Sequence, residues 1–334
     1  MCAAFEDNDM WKKLLGAAIL AQLGFGAVAA SATADSYPSR PIRLLDGFAA
    51  GGSSDFLARS LGAKLTERLG QTVIVDNRPG ASSNIAAEIT VRANPDGYTL
   101  MLAAMTALAS SRSLYAKLPF DLFKDLSFVT MVASGAQVLL AHPAVPAKSV
   151  TELVALARAT PNAISYGTGG VGTPGHLAME LLQIRTGMQL VHVPYKGTAP
   201  SLVALSGGEV GILFASLVGV VPMIQAKRFN ALAVTTPKRL GVLPQVPTVA
   251  ESGYPGFNVT STFGLLAPAG TPAAIVKLLN AEIRTILQTD DIRAKLATQA
   301  LEATPSTPDE FKITIEAEAA QWASVVRQAR ITIN

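Results

Sequence analysis

The sequence predicts an α/β protein built as two doubly wound lobes with a cleft between them. Three observations carry that reading. Short apolar runs alternate with helical patterns in two separate series, the arrangement that yields parallel sheets covered by helices. Two glycine-rich turns stand at matching places in those series: Phe48-Ala49-Ala50-Gly51-Gly52-Ser53-Ser54-Asp55 and Gly167-Thr168-Gly169-Gly170-Val171-Gly172-Thr173-Pro174. Of 334 residues, about 300 remain once an export leader is set aside, a length that normally divides between two cores.

The leader occupies residues 1–34. Met10-Trp11-Lys12-Lys13 precedes an uncharged stretch, residues 14–34, that ends in Ala27-Val28-Ala29-Ala30-Ser31-Ala32-Thr33-Ala34. A basic flank, an apolar stretch and small residues at the end describe a removable export signal, cut near Ala32 to Ala34. A membrane anchor is the competing reading, but the stretch is barely long enough to span and grows richer in Gly, Ala, Ser and Thr. The acidic residues 1–9 suit no such signal, so Met10 is read as the true start. Removal takes away Lys12, Lys13, Glu6, Asp7 and Asp9, which moves the formal charge from +3 to +4. That mild, dispersed charge offers no basic tract for nucleic acid. Cys2, the one cysteine, leaves with the leader, which excludes disulfides, thiolate chemistry and cysteine metal ligation from the mature chain.

The first series opens with a buried strand over residues 42–46. Ser53 or Ser54 is expected to cap the next helix, whose Leu57, Leu61, Leu65 and Leu69 share one face and which Gly70 ends. A strand over 72–75, a helix over 82–92, the Asn94-Pro95-Asp96-Gly97 turn and a strand over 98–103 complete it. The second series runs through a strand over 138–141, a helix opened by the Ser149-x-x-Glu152 box, a strand over 164–166, the Thr173-Pro174 helix, and strands over 190–193, 210–214 and 231–234. After Thr248-x-x-Glu251 and Pro255 comes one apolar run, 262–267, and then only helices: one opened by Thr271-Pro272, another by Thr307-x-x-Glu310 with Phe311, Ile315 and Trp322 on one side. A parallel sheet needs helices on both faces, and the first series supplies too few. The tail is therefore expected to return to it, giving residues 35–136 plus 261–334 as one lobe and 137–260 as the other, with crossings near 129–137 and 258–263.

Each glycine-rich turn is a lead-in to a helix N-terminus. Unpaired backbone N–H groups and the positive end of the helix dipole make such a terminus an anion site that needs no cationic side chain. A tight strand-to-helix turn is the alternative for either turn alone; two of them facing each other could clamp one carboxylate. Other motifs carry less. Gly167, Gly169 and Gly172 spell the dinucleotide fingerprint, but no ribose-binding acid follows the next strand. The elbow, Ser-x-x-Lys and phosphate-loop patterns are absent. His142, His176 and His192 lack metal-ligand spacing, so no cofactor or metal is expected. His176, in the first turn of its helix, is read either as a helix-start residue or as a ligand contact, and Tyr195 as a cleft hydroxyl.

Taken together, Tyr37-Pro38-Ser39-Arg40-Pro41-Ile42, Gly51-Gly52-Ser53-Ser54-Asp55, Asp76-Asn77-Arg78-Pro79-Gly80-Ala81, Pro95-Asp96-Gly97-Tyr98-Thr99-Leu100, His192-Val193-Pro194-Tyr195-Lys196-Gly197 and the run Val246-Pro247-Thr248-Val249-Ala250-Glu251-Ser252-Gly253-Tyr254-Pro255 resemble the Bug family, the extracytoplasmic solute receptors of tripartite tricarboxylate transporters. The resemblance covers essentially the whole mature chain. It implies a type II periplasmic binding protein that closes on a small carboxylate held by backbone N–H groups and ordered water. Carried over residue by residue, it puts Phe48, Ala49, Ala50, Gly52, Ser53 and Asp55 on one jaw and Thr168, Gly170, Val171, Gly172, Thr173 and His176 on the other. Two departures, Ala49-Ala50 in place of a longer proline-containing run and Ala215 where Asp or Asn is frequent, concern the distal half of the pocket.

The expected function is capture of a di- or tricarboxylate, amino acid or aromatic carboxylate in the periplasm by a monomer, not an enzyme, that hands its ligand to membrane permease subunits. Two alternatives stand beside it: a cofactor-free hydrolase or isomerase using Asp55 or His176 as base, and a sensory receptor that presents its closed form to a membrane kinase.

Overall fold

The computed structural model describes residues 37–333. The expected export leader and its Met10 start lie outside them. No helix among the described residues is long and apolar enough to cross a membrane.

The first series forms as a parallel α/β unit. Strands β1 (Ile42–Asp46), β2 (Val73–Asn77) and β3 (Thr99–Ala104) pair in parallel in the order β2-β1-β3. Between them run α1 (Ser53–Leu69) and α2 (Asn84–Val91). Leu57, Leu61 and Leu65 of α1 are buried, each contributing roughly 1.5–3 kcal/mol of transfer free energy, and Gly70 ends the helix in the left-handed conformation (φ 69°). The start of α1 departs from expectation. Gly52, not Ser53 or Ser54, is the N-cap, and no side chain caps it; Ser53 is already helical, and the Ser54 hydroxyl turns back to Asp46. A further helix that carries no sequence start signal, α3 (Met105–Leu114), follows β3 directly from Ala104.

Strand β4 (Leu126–Ala141) is sixteen residues long and joins the two halves of the molecule. Its first part pairs antiparallel with β9 (Thr260–Pro268), through Ala136↔Thr260, and its last part, from Gln137, pairs with β7 (Ile212–Ser216) and β8 (Asn230–Val234). Both expected crossings are therefore present, and they lie side by side as paired strands. The second lobe adds α4 (Val150–Ala159), β5 (Ser165–Thr168), α5 (Pro174–Thr186), β6 (Val191–Pro194), α6 (Thr198–Ser206) and the short α7 (Val221–Gln225). Here β5 pairs in parallel with β6 and with β7. The path of eight paired strands reads β2-β1-β3-β9-β4-β7-β5-β6.

The tail returns as expected but is not wholly helical. After α8 (Ala273–Gln288) and α9 (Asp290–Ala297), strand β10 (Leu301–Ala303) pairs with β4 before α10 (Pro308–Gln328) begins. Thr307 and Glu310 form a reciprocal capping box at its start. Phe311 and Ile315 of α10 pack into the core under β1, β3 and β9, whereas Trp322, Val325 and Val326 join the core of the second lobe. One helix thus packs on both cores.

Candidate functional site

The two glycine-rich turns face one another across a cavity. Four helices contribute their first residues to its wall: Gly52, Ser53 and Ser54 at α1, Ala104 at α3, Thr173, Pro174 and Gly175 at α5, and Thr198 at α6. The first N–H to be used inside α1 is that of Phe56, which donates to the Gly52 carbonyl, so the N–H groups of the first turn are left for something else. Phe48, Phe214 and Phe263 supply apolar surface, and Gln137, Ser216 and Ser261 supply polar groups. Among the described residues, no Lys, Arg, His, Asp or Glu lines the cavity.

Two hydroxyls in that wall lack hydrogen-bond partners although buried: Ser53 Oγ and Ser216 Oγ. Their residues are 6% and 7% exposed, and they come from opposite lobes. An unpaired buried hydroxyl costs about 1–3 kcal/mol, a penalty that a ligand in the cavity would remove. At the junction of the lobes Gln137 Nε2 donates to Ser261 Oγ at 2.7 Å, linking β4 to β9.

The first jaw is stiffened from behind. Asp46, fully buried, accepts from the Ser54 hydroxyl, from the Phe48 N–H (3.3 Å) and from Asn77 Nδ2 (3.0 Å). Burial pushes its carboxyl up to about 7 against these hydrogen bonds, and the nearby Asp55 charge adds to the rise. Burial also raises Asp55, but hydrogen bonds from Arg59 and from the Gly51 N–H outweigh it and hold that carboxyl below its ordinary value. Asp55 therefore folds back on its own loop.

The second jaw rests on a stack of rings. His176 and His192 lie with centroids 4.2 Å apart, and Tyr166 stacks on His192 at 4.8 Å. His176 Nδ1 accepts from the Gly172 N–H (3.0 Å), and His192 Nε2 meets Thr168 Oγ1 (2.7 Å). Burial holds His192 down to about 4; burial and the neighbouring His192 hold His176 well below its ordinary value. Both rings are neutral in neutral solution and support the 167–174 turn from beneath.

The jaws touch. The Ala49 N–H donates to the Lys196 carbonyl (3.2 Å), Ser82 Oγ to the Val171 carbonyl (2.6 Å) and Ser110 Oγ to the Gly172 carbonyl (2.8 Å), each joining the first lobe to the second. Ser82 reaches across from a segment in which Ala81, Ser82 and Ser83 all have positive φ (45°, 51° and 80°), a costly backbone for residues with side chains. Three hydrogen bonds thus hold the two lobes together beside the cavity.

A family model described as the tripartite tricarboxylate transporter family receptor, TctC, matches residues 57–331. The chain belongs to this receptor family. Protein BugT of Bordetella pertussis (strain Tohama I) is 37% identical over 302 residues, which cover 90% of this chain and 93% of BugT. Two solved structures from Rhodopseudomonas palustris are also similar. Rpa4515, described with adipate, is 36% identical with a TM-score of 0.85, covering 89% of this chain and 100% of its own. MatC (Rpa3494), described with bound malate, is 30% identical with a TM-score of 0.83, covering 87% and 100%.

In this TctC receptor, the sequence-derived candidates fall into three groups. Phe48, Ala49, Gly52, Ser53 and Thr173 line the cavity. Gly170, Val171 and Tyr195 line an adjoining outer recess that shares Phe48 and Gly169 with it. Ala50 is exposed on the first turn, while Asp55, Thr168, Gly172 and His176 are buried in the framework of hydrogen bonds just described. Gln137, Ser216, Ser261, Thr198 and Phe263 escaped the sequence reading because each is an ordinary residue in a strand or helix start, and only the topology brings them together. Ala215 bears on the cavity less than its motif position implied: Phe214 and Ser216 face the cavity, and Ala215 between them is buried in the core.

Proposed function

We propose that this receptor captures a small carboxylate by closing its two lobes on it, with helix N-termini from both lobes supplying backbone N–H donors. The observation that carries the reading is the convergence of four helix starts on a cavity without a cationic side chain. The described adipate and malate of the two Rhodopseudomonas palustris structures agree with it. On this reading Phe48, Ala49, Gly52, Ser53 and Thr173 contact the ligand, and Gly170, Val171 and Tyr195 close the entrance. Closure is a population shift: contacts to both jaws favour the closed form by the differential affinity for it.

The partition of strands supports 35–136 plus 261–334 as the first lobe and 137–260 as the second. The protein acts after export to the periplasm, as a monomer that delivers its ligand to membrane permease subunits and catalyses nothing. Asp55 and His176, the candidate bases of a hydrolase, are committed to Arg59 and Gly172, which argues against that role.

Thermal unfolding against a panel of mono-, di- and tricarboxylates tests the proposal. A ligand at about 100 times its Kd adds roughly 2.7 kcal/mol, and the shift is expected to survive chelator, since no group of three or more metal-ligating side chains occurs among the described residues. No shift with any carboxylate, or turnover of the one that binds, would sink it. Mass spectrometry of periplasmic material is expected to find a thiol-free chain beginning near Asp35.

A further inference from the structure

We propose that Ser82 is a latch for lobe closure: by donating to the Val171 carbonyl it favours the joined arrangement of the lobes, and it acts on ligand affinity without touching the ligand. The inference rests on the receptor reading, in which the lobes part to admit a carboxylate. To that reading it adds a residue of the first lobe that stands in the outer recess, outside the cavity wall.

The three hydrogen bonds that join the lobes beside the cavity differ in kind. Ala49 donates through its backbone N–H. Ser110 Oγ lies 2.8 Å from the Gly172 carbonyl of the other lobe and 2.9 Å from the Ala107 carbonyl of its own helix, so its single proton keeps a partner when the lobes part. Ser82 Oγ donates to the Val171 carbonyl at 2.6 Å and shares its proton with no carbonyl of its own lobe. The acceptor is fixed from behind. The peptide unit joining Val171 to Gly172 offers its carbonyl to Ser82 and its N–H to Nδ1 of the buried His176, at 3.0 Å. Ser82 therefore grips a point that the second lobe already holds in place.

The segment that carries Ser82 is not a relaxed one. Ala81, Ser82 and Ser83 follow one another in the left-handed region, with φ of 45°, 51° and 80°, a costly backbone for three residues with side chains. Ser83 Oγ and Asn84 Oδ1 are buried without partners, which adds to the cost. Asn84 Nδ2 ties the segment down through the Ala81 carbonyl (2.7 Å) and Ser111 Oγ of α3 (2.9 Å). Against this unfavourable local geometry stands the bond to the second lobe. An element so balanced has populations that one contact can shift.

The experiment compares the parent with Ser82→Ala by calorimetry against succinate, malate, glutarate, adipate, citrate, glutamate and phenylpropionate. A latch weakens every acid by the same factor, expected to be about fivefold, the worth of one hydroxyl hydrogen bond, with the unliganded melting temperature unchanged. In the parent, a saturating concentration of the tightest-binding of these acids is expected to slow backbone hydrogen exchange over residues 80–84, which the acid does not contact. Ser82→Gly, which a φ of 51° favours, removes the same hydroxyl and is expected to repeat the loss should the alanine variant fail to fold. Unchanged affinity for all the acids that bind, or unchanged exchange over 80–84, overturns the latch and leaves the receptor reading intact. So does a loss that differs between acids, which would make Ser82 a ligand contact, or a lowered unliganded melting temperature, which would make it a structural residue. Absence of binding by all seven acids overturns both readings.

Discussion

The backbone N–H of Gly172 donates to Nδ1 of the buried His176 across 3.0 Å, so the second jaw is fixed by an imidazole that must stay neutral. A protonated ring would turn Nδ1 into a donor facing a donor. His176→Phe keeps the ring volume of the stack but leaves the Gly172 N–H unpaired, a loss of about 1–3 kcal/mol. We expect a lower melting temperature together with at least fivefold weaker ligand binding, measured by calorimetry. A variant as stable and as tight-binding as the parent would show that the turn holds its shape without the histidine.

Gly52 and Gly170 separate the ligand site from the backbone that builds it. A Cβ at Gly52 meets no atom within 4 Å, and its φ of −93° suits any residue. Gly52→Asp is therefore expected to fold, with its melting temperature held or slightly raised by N-capping, while its charge occupies the positive end of α1 and lowers carboxylate affinity at least a hundredfold. Gly170→Asp is a poorer test, because φ is +131° there and a Cβ would sit 2.9 Å from Ser82 Oγ. Lys196→Ala, in the outer recess, is expected to change affinity less than threefold. Normal binding by Gly52→Asp alongside loss in Lys196→Ala would assign the anion to the lysine.

The elements read from sequence are those with strong local punctuation. Gly70 stops α1, Pro174 opens α5, and Thr307 with Glu310 boxes the start of α10. Two of the helices that escaped, α3 and α6, begin at Ala104 and Gly197 with no side-chain cap. The same absence explains the misplaced start of α1: Ser53 and Ser54 look like caps, but one hydroxyl is left unpaired in the cavity and the other serves Asp46. Tyr166 and His192 stack because β5 and β6 pair with these two residues opposite each other, and His176 joins the stack from α5, a relation between segments that spacing along the chain does not encode.

Gly264 tests how tightly α10 closes the first lobe. A Cβ placed there would lie 2.0 Å from Phe311 Cζ, and the Phe311 ring is fully buried, edge-on to Phe128 at 4.9 Å. The Phe311 ring must therefore shift to admit a methyl group. Gly264→Ala is expected to lower stability by about 1–3 kcal/mol, read from denaturant unfolding. Gly62→Ala, whose nearest new contacts are at an ordinary 3.5 Å, serves as the mild comparison and should gain slightly from helix propensity. Equal stability of the two variants would mean that the Phe311 packing relaxes freely.

Asp46 and His192 give the protein opposed pH dependences that substitution can pull apart. The Asp46 carboxyl is raised to about 7, so the folded state holds its proton where the unfolded chain has released it; stability from this group is present in acid and is lost as pH rises through about 7. His192 is depressed to about 4, so its contribution is present above the ordinary histidine range and is lost as pH falls from about 6.5 to 4. His176 acts in the same direction as His192. Between pH 4 and 6.5 the trends offset each other. Asp46→Asn removes one of them: its stability should decline more steeply than the parent's on acidification, and should not decline from pH 6.5 to 8, where the parent loses stability. The two curves are expected to diverge by more than about 1 kcal/mol, the equivalent of one unit of pKa displacement. Parallel curves from denaturant unfolding at pH 5, 6, 7 and 8 would mean that Asp46 ionises in its ordinary range, and that Ser54 and Asn77 hold it as a carboxylate throughout.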